Sequence, residues 1–251
     1  MIVIKTPEDL ARMRVSGRMA AEVLGELARR VAPGVTTKEL DDLARELMAR
    51  RGGRSAFFGY RGYPGQTCIS INDEVVHGVP GPRRIQVGDI VSLDVGVVYE
   101  GYVGDNATTV MVGVSDPEVV RLVSTGRRAL EAAIGKAVAG GRLSDVSHAI
   151  ESTAREAGYS VVRDFVGHGV GRSMHEDPQI PNFGPPGRGP RLKPGMTLAI
   201  EPMINRGGHE VEVLGDGWTV RTRDRSLSVH FEHTIAVGEG AAEVLTWLGP
   251  K

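Results

Sequence analysis

The stretch Asp89 to Val112, DIVSLDVGVVYEGYVGDNATTVMV, most constrains the fold, because it sets two carboxylates, Asp94 and Asp105, inside an apolar, β-branched run. Val91, Leu93, Val95, Val97 and Val98 read as a strand, and Val103 to Val112 as its return. Between them Glu100-Gly101 has the length of a two-residue hairpin loop, with Gly101 free to take a positive φ. That register sets Asp94 opposite Ala107 and Asp105 opposite Gly96, so the aspartates become diagonal neighbours on one sheet face, roughly 7–8 Å apart at Cα. Two metal ions about 3.5–4 Å apart fit between such carboxylates. A single Asp in a strand is ordinarily a turn or solvated residue. Two on one apolar face repel each other and resist desolvation, and they call for a shared proton or shared cations.

The remaining ligands have to be oxygen or nitrogen donors. Cys68 is the only cysteine, which excludes an internal disulfide and a thiolate cluster and leaves His, Asp and Glu, although a catalytic thiol stays open. The chain has 251 residues, 41% of them hydrophobic, enough for one large or two small domains of a globular enzyme. A net charge of −1 offers no basic footprint for nucleic acid. The opening MIVIKTPEDL has four apolar residues before Lys5, too few for a signal-peptide core, and no apolar run approaches membrane-spanning length. A cytoplasmic protein with no membrane partner is expected.

Helix signals fill the first half. Thr6-Pro7-Glu8-Asp9 supplies an N-cap, a first-turn proline and two acids, and Leu10, Met13, Val23, Leu24 and Leu27 follow at helical spacing towards Pro33-Gly34. Thr36 with Glu39 makes a capping box for a second helix, with Leu40, Leu43, Leu47 and Met48 as its stripe. A glycine-rich loop from Phe57 to Gly65, a short strand from Cys68 to Ile71, and His77 lead to the hairpin. The same order then restarts. Ser115-Asp116-Pro117-Glu118 caps a helix predicted to reach Gly140-Gly141, and Ser144 caps another ending near Gly158. Helix starts lie 30 residues apart in the first half (Thr6, Thr36) and 28 in the second (Asp116, Ser144). Asp94 lies 58 residues after Thr36, and Glu201 lies 57 after Ser144, within the strand-like run Met196 to Ile204. The pattern predicts an internal duplication, about 1–112 and 113–251, with two helices and then strands in each half delivering acids to one centre.

The second half completes the ligand pool. Gly167-His168-Gly169-Val170-Gly171 sets a histidine among glycines that suit close backbone approach better than a phosphate cradle. Met174-His175-Glu176 follows, then a Pro- and Gly-rich run from Pro178 to Pro190. Val229 to Ile235 reads as a last strand that again buries a carboxylate, Glu232. The pool is Asp94, Asp105, His168, Glu201 and Glu232, while His209, His230 and His233 read as structural or solvent-facing. Four carboxylates and one imidazole make an oxygen-rich site suited to two Mn²⁺, Fe²⁺ or Co²⁺ ions, with Zn²⁺ also compatible. Four ionised carboxylates balance two divalent cations, and a hydroxide bridging the pair is a nucleophile near neutral pH.

The segments GYRGYPGQTCISINDEVVHGVP, SLDVGVVYEGYVGDNATT, GHGVGRSMHEDPQIPNF, PGMTLAIEPM and VHFEHTIAV together resemble type I methionine aminopeptidases, in order and over nearly the whole chain. The resemblance implies an α/β (α+β) pita-bread fold, a pseudo-two-fold pair of αα-β halves around a curved antiparallel sheet, with residues 1–251 as a single catalytic domain of the compact bacterial form. It implies a dinuclear centre in which Asp94 chelates one ion, His168 and Glu201 hold the other, and Asp105 and Glu232 bridge. It further implies that His77 and His175 contact substrate beside the metals, that Glu201 relays protons, and that the bridging hydroxide attacks the scissile carbonyl. Tyr60, Tyr63, Cys68, Met174 and Trp218 are the implied walls of the methionine slot, with Phe57 at its edge. Met174 departs from the phenylalanine common at that position, and its flexible thioether leaves selectivity against near isosteres open. The implied activity is removal of N-terminal methionine from nascent proteins whose second residue is small, by a monomer in transient contact with the ribosome and without a specific nucleic-acid partner.

Two other readings stay open. A proline-directed aminopeptidase or dipeptidase of the same fold shares the ligand set but generally carries an additional N-terminal domain. A non-enzymatic binding module on a degenerate copy of the fold would have lost ligands, and all five are present here.

Overall fold

The structure, a computed structural model, describes residues 1–249. Its first two helices start where their caps predict. Helix α1 spans Pro7–Arg30; Thr6 Oγ1 accepts from the Asp9 N–H and the Asp9 carboxylate accepts from the Thr6 N–H. Helix α2, Thr37–Arg50, repeats this with Thr36 and Glu39. Their apolar faces, including Val23, Leu27, Leu40 and Met48, pack on Val91, Leu93, Val95 and Val97 in one buried cluster. A second cluster does the same in the other half, where Leu122, Leu130, Val146 and Ile150 meet Leu198, Ile200 and Ile235.

The second pair of helices departs from expectation at two ends. Helix α3 spans Pro117–Ile134, capped by Asp116, and stops short of Gly140-Gly141. Gly135 caps its end, with its N–H on Glu131 O, and beyond a short turn tertiary hydrogen bonds run from the Ala139 N–H to Gly238 O and from the Gly140 N–H to Leu192 O. Helix α4 spans Leu143–Glu156 and is capped by Arg142 rather than Ser144. The Asp145 carboxylate accepts from the Arg142 N–H, and the Ser144 hydroxyl is used instead by the Arg188 N–H at 2.7 Å.

A nine-stranded antiparallel sheet joins the halves. Along it the strands run Arg54–Ser55, Ile90–Tyr99, Tyr102–Met111, Glu232–Ala236, Thr197–Ile200, Val166–Gly169 and Glu176–Pro181. Cys68–Ile71 pairs on Ile90–Tyr99, and Glu243–Val244 on Glu232–Ala236. The hairpin has the expected register, Asp94 opposite Ala107 and Asp105 opposite Gly96. Glu100 (φ 46°) and Gly101 (φ 80°) turn it with two left-handed residues, the conformation that matches strand twist.

Neither predicted strand of the second half is continuous. Met196 to Ile204 divides into Thr197–Ile200 in the main sheet and Met203–Asn205 in a small one, separated by Glu201-Pro202. Pro202 has no N–H to give a ladder. Val229 to Ile235 divides in parallel fashion at Phe231, into Ser228–His230 and Glu232–Ala236. The pieces pair two by two, His233 with Ile200 and His230 with Met203, so both strands change sheets together. Among the described residues no helix is long and apolar enough to cross a membrane.

Candidate metal centre and substrate pocket

Each candidate ligand arrives from a different stretch of backbone. Asp94 and Asp105 come from the hairpin, and Glu232, at the start of its strand, pairs with Ala107 beside them. Glu201 follows directly on Thr197–Ile200. His168 lies between two close neighbours: a Cβ on Gly167 would stand 2.6 Å from Ala199 O, and one on Gly169 2.1 Å from Asp177 O. Only glycine permits that approach on both sides.

These side chains converge. Asp105, His168 and Glu232 present ligand atoms within 4.8 Å of one another. Glu201 Oε1 is 3.6 Å and Asp105 Oδ2 3.9 Å from His168 Nε2. His168 Nδ1 lies 2.9 Å from Gly169 O, which only an Nδ1–H can satisfy, so Nε2 faces the carboxylates as a bare acceptor. Acceptors pointed at acceptors need a proton or a cation between them. Asp94 Oδ1, Asp105 Oδ1 and Glu232 Oε1 are buried without a hydrogen-bond partner. Among the described residues no lysine or arginine pairs with any of the four acids. Burial pushes the Asp94 carboxyl up to about 7 and Glu201 up to about 8, and lowers His168 to about 3. Asp105 and Glu232 are held well above the carboxylate range by burial and then by each other's neighbourhood of charge, Asp94 beside Asp105 and Asp105 beside Glu232. Hard oxygens, one bare imidazole nitrogen and uncompensated charge are what a divalent cation site requires.

The acids form the floor of a pocket of about 290 Å³. Its lining includes Tyr60, Tyr63, Cys68, His77, Met174, His175 and Trp218, all expected there, and Phe57. The loop carrying the tyrosines is anchored at both ends: Ser55 Oγ accepts from the Phe57 and Phe58 N–H groups, and Asp41 Oδ1 accepts from the Gln66 and Thr67 N–H groups. Tyr63 meets Trp218 edge-on at 5.1 Å. Cys68 pairs with Asp94 across the strands, and burial together with that carboxylate raises its thiol well above the usual range. A buried thiol held in that direction favours its protonated form, the less nucleophilic one. His77 holds φ at 59°, an uncommon value for a residue with a side chain, and stands edge-on to Phe165 at 5.4 Å. Burial lowers it to about 4, so it is neutral near pH 7. His175 is exposed at the mouth, its Nδ1 2.9 Å from Tyr60 Oη and its ring 4.3 Å from that of His168. Partial desolvation and the Arg61 charge lower its pKa.

The pocket also contains Arg61, Asp164, Phe165 and Val166, which the sequence reading did not single out. Val166 could have been found by alternation, two residues before His168 on one strand. His230, expected to be structural, lies with Nε2 3.5 Å from Glu201 Oε2. Its spacing of two from Glu232 was the available signal. His233 faces the other way, with Nδ1 2.8 Å from Thr246 Oγ1, and His209 is half-exposed beside Glu210.

Comparisons with known proteins agree with this geometry. The sequence model of metallopeptidase family M24 matches residues 11–239. Methionine aminopeptidase 1 of Bacillus subtilis is 47% identical over 246 residues, covering 98% of this chain and 99% of that protein. The crystal structure of methionine aminopeptidase from Thermotoga maritima superposes with a TM-score of 0.97 at 48% identity, over 98% of this chain and 99% of that one. Prolidase from Pyrococcus furiosus shares the fold at 24% identity and a TM-score of 0.81, with 66% of its chain covered.

Proposed function

Because the chain belongs to metallopeptidase family M24, and within it to the methionine aminopeptidases of the pita-bread fold, we propose that its two halves act as one catalytic domain around a dinuclear metal centre. The enzyme hydrolyses the N-terminal methionine from peptides. The buried, unpartnered oxygens of Asp94, Asp105 and Glu232 at the floor of an apolar pocket carry the metal reading. Asp94 would hold one ion, His168 and Glu201 the other, with Asp105 and Glu232 shared. Mn²⁺, Fe²⁺, Co²⁺ and Zn²⁺ all suit that donor set. Divalent ions held there would lower the pKa of water from about 15.7 towards 7 and polarise the scissile carbonyl.

The chain's own groups supply the rest. Tyr63, Cys68, Met174 and Trp218 wall a slot for an unbranched thioether, and Tyr60 closes its mouth. With the Tyr60 hydroxyl donating to Nδ1, His175 offers an Nε2–H to charge developing on the carbonyl oxygen. Neutral His77 contacts substrate from the opposite wall. Glu201, at the junction of the acids and the pocket, accepts a proton and passes it to the leaving amine. On this reading the enzyme acts as a cytoplasmic monomer on nascent chains as they leave the ribosome, when the second residue is small.

The test compares Met-Ala-Ser with Met-Lys-Ser and with an X-Pro peptide, in chelator and after addition of Mn²⁺, Fe²⁺ or Co²⁺. Met-Ala-Ser alone should be cut, and only with metal. Preferential cleavage of X-Pro would point to a proline-directed enzyme, and full activity in chelator would remove the metal centre.

A further inference from the structure

His230 is 2% exposed and its backbone is held by both halves of the molecule. Its N–H donates to Thr109 Oγ1 at 3.0 Å, the Thr109 hydroxyl donates to His230 O at 2.9 Å, and Ser92 Oγ lies 2.8 Å from Thr109 Oγ1. On the other side it pairs with Met203. The backbone therefore has a fixed place, and the imidazole it carries has its Nε2 buried with no hydrogen-bond partner. The nearest acid is Glu201, whose Oε2 is 3.5 Å away.

Glu201 thus stands between two imidazoles that do different things. On its Oε1 side His168 presents a lone pair, because its proton is on Nδ1, and that is the side open to a cation. On its Oε2 side, once Glu201 is ionised as a ligand must be, His230 can face the carboxylate oxygen without repulsion only if Nε2 carries the proton. We propose that His230 Nε2–H donates to Glu201 Oε2 and is a positioning residue for the metal centre, fixing the carboxylate so that Oε1 is turned towards His168 and the bound ion. This rests on the reading of His168 and Glu201 as ligands. Carboxylate ligands are commonly held by such outer hydrogen bonds, whose loss costs about 10–100-fold in metal affinity.

Mn²⁺ is titrated calorimetrically into metal-free wild type, His230→Leu, His230→Ala and His230→Gln, and the metal-free proteins are melted in parallel. His230→Leu and His230→Ala should weaken one of the two binding events by about 10–100-fold and leave the other unchanged. His230→Gln restores an N–H donor at similar reach and should stay within about threefold of wild type. In a Glu201→Ala background, His230→Leu should add nothing, since the two act as one unit. Metal-free His230→Leu should melt somewhat below wild type, because Glu201 Oε2 loses its donor in the interior, so the metal affinities and not the melting temperature decide the question. Unchanged stepwise affinities in His230→Leu and His230→Ala would make the residue structural and overturn the proposal. His230→Gln as weak as His230→Leu would overturn it differently, by making the imidazole itself a ligand. If Glu201→Ala alone leaves metal binding intact, the failure lies in the ligand assignment and not in His230.

Discussion

Asp94 and Asp105 stand on two strands that pair without interruption from Ile90 and Met111 to Tyr99 and Tyr102, while Glu201 and Glu232 stand where two neighbouring strands break and change sheets. In the hairpin the turn sets the register, and a slip of one residue would turn both acids to the opposite face. In the broken pair no turn does this. Contacts distant in the chain hold it instead, most directly Thr234, whose Oγ1 accepts from the Asp105 N–H at 3.0 Å and donates to Asp105 O at 2.8 Å. One hydroxyl therefore replaces two ladder bonds at the point where the halves meet. The comparison teaches that one shared centre can be built from a locally determined half and a half determined by tertiary contacts.

The sharpest test sets one acid from each region against the other. Asp105→Ala and Glu232→Ala should each abolish binding of both ions and lower turnover about a thousandfold or more, since metal activation is worth several kcal/mol. Equal losses from the two would mean that the centre does not distinguish their origins. Retention of one ion in either variant, measured by metal analysis, would show that the residue is not shared.

His175 belongs to neither region, so its replacement should separate chemistry from metal binding. His175→Ala should keep both ions and its melting temperature while kcat falls about 10²–10³-fold and KM changes less. A destabilised variant with nearly full turnover would reduce the residue to loop packing.

Thr234→Val tests the junction itself. It leaves the Asp105 N–H and C=O unpaired in the interior, at a cost of about 1–3 kcal/mol for each group. Metal affinity should drop with it. A Thr234→Ser variant, which keeps the hydroxyl, should recover most of both losses. If valine is tolerated at unchanged Tm and metal affinity, the ladder carries the junction without it.

The smallest effect concerns pH. In the metal-free protein Asp94 and Glu201 are raised to about 7 and about 8 from 3.8 and 4.5, so the folded form retains protons that the unfolded chain has lost. Their contribution is complete below about pH 4 and is lost as pH rises through 7 and 8. His77 and His233, both lowered to about 4 from 6.5, act oppositely, as do the likewise lowered His168, His175 and His230, adding stability as pH rises, but only up to about 6.5. From there to about pH 8 the carboxylates act alone. The chelated protein should therefore lose Tm over that interval, by about 2–4 °C for each kcal/mol, and Mn²⁺ should remove the slope. A chelated Tm that is flat or rising between pH 6.5 and 8 would contradict the burial of these acids.

Sequence by itself determined whatever depends on neighbours in the chain. The caps at Thr6, Thr36 and Asp116, the Glu100-Gly101 turn and its register, and the apolar faces of the helices are local matters of hydrogen bonding, φ and periodicity. The acids were visible for a related reason, since a carboxylate within a β-branched run is a local anomaly. The end of α3, at Gly135, is local as well. Tertiary structure alone decided the path beyond it, where Gly238 O and Leu192 O accept from the N–H groups of Ala139 and Gly140. It also decided where the second-half strands divide, and that His230 faces Glu201 while His233 turns away. Thr234 and Asp105 are 129 residues apart, and no local pattern records which distant group will take a backbone N–H. Those partners exist only once the two halves have packed against one sheet, where burial makes every unpaired polar group costly and so selects the arrangement that pairs them.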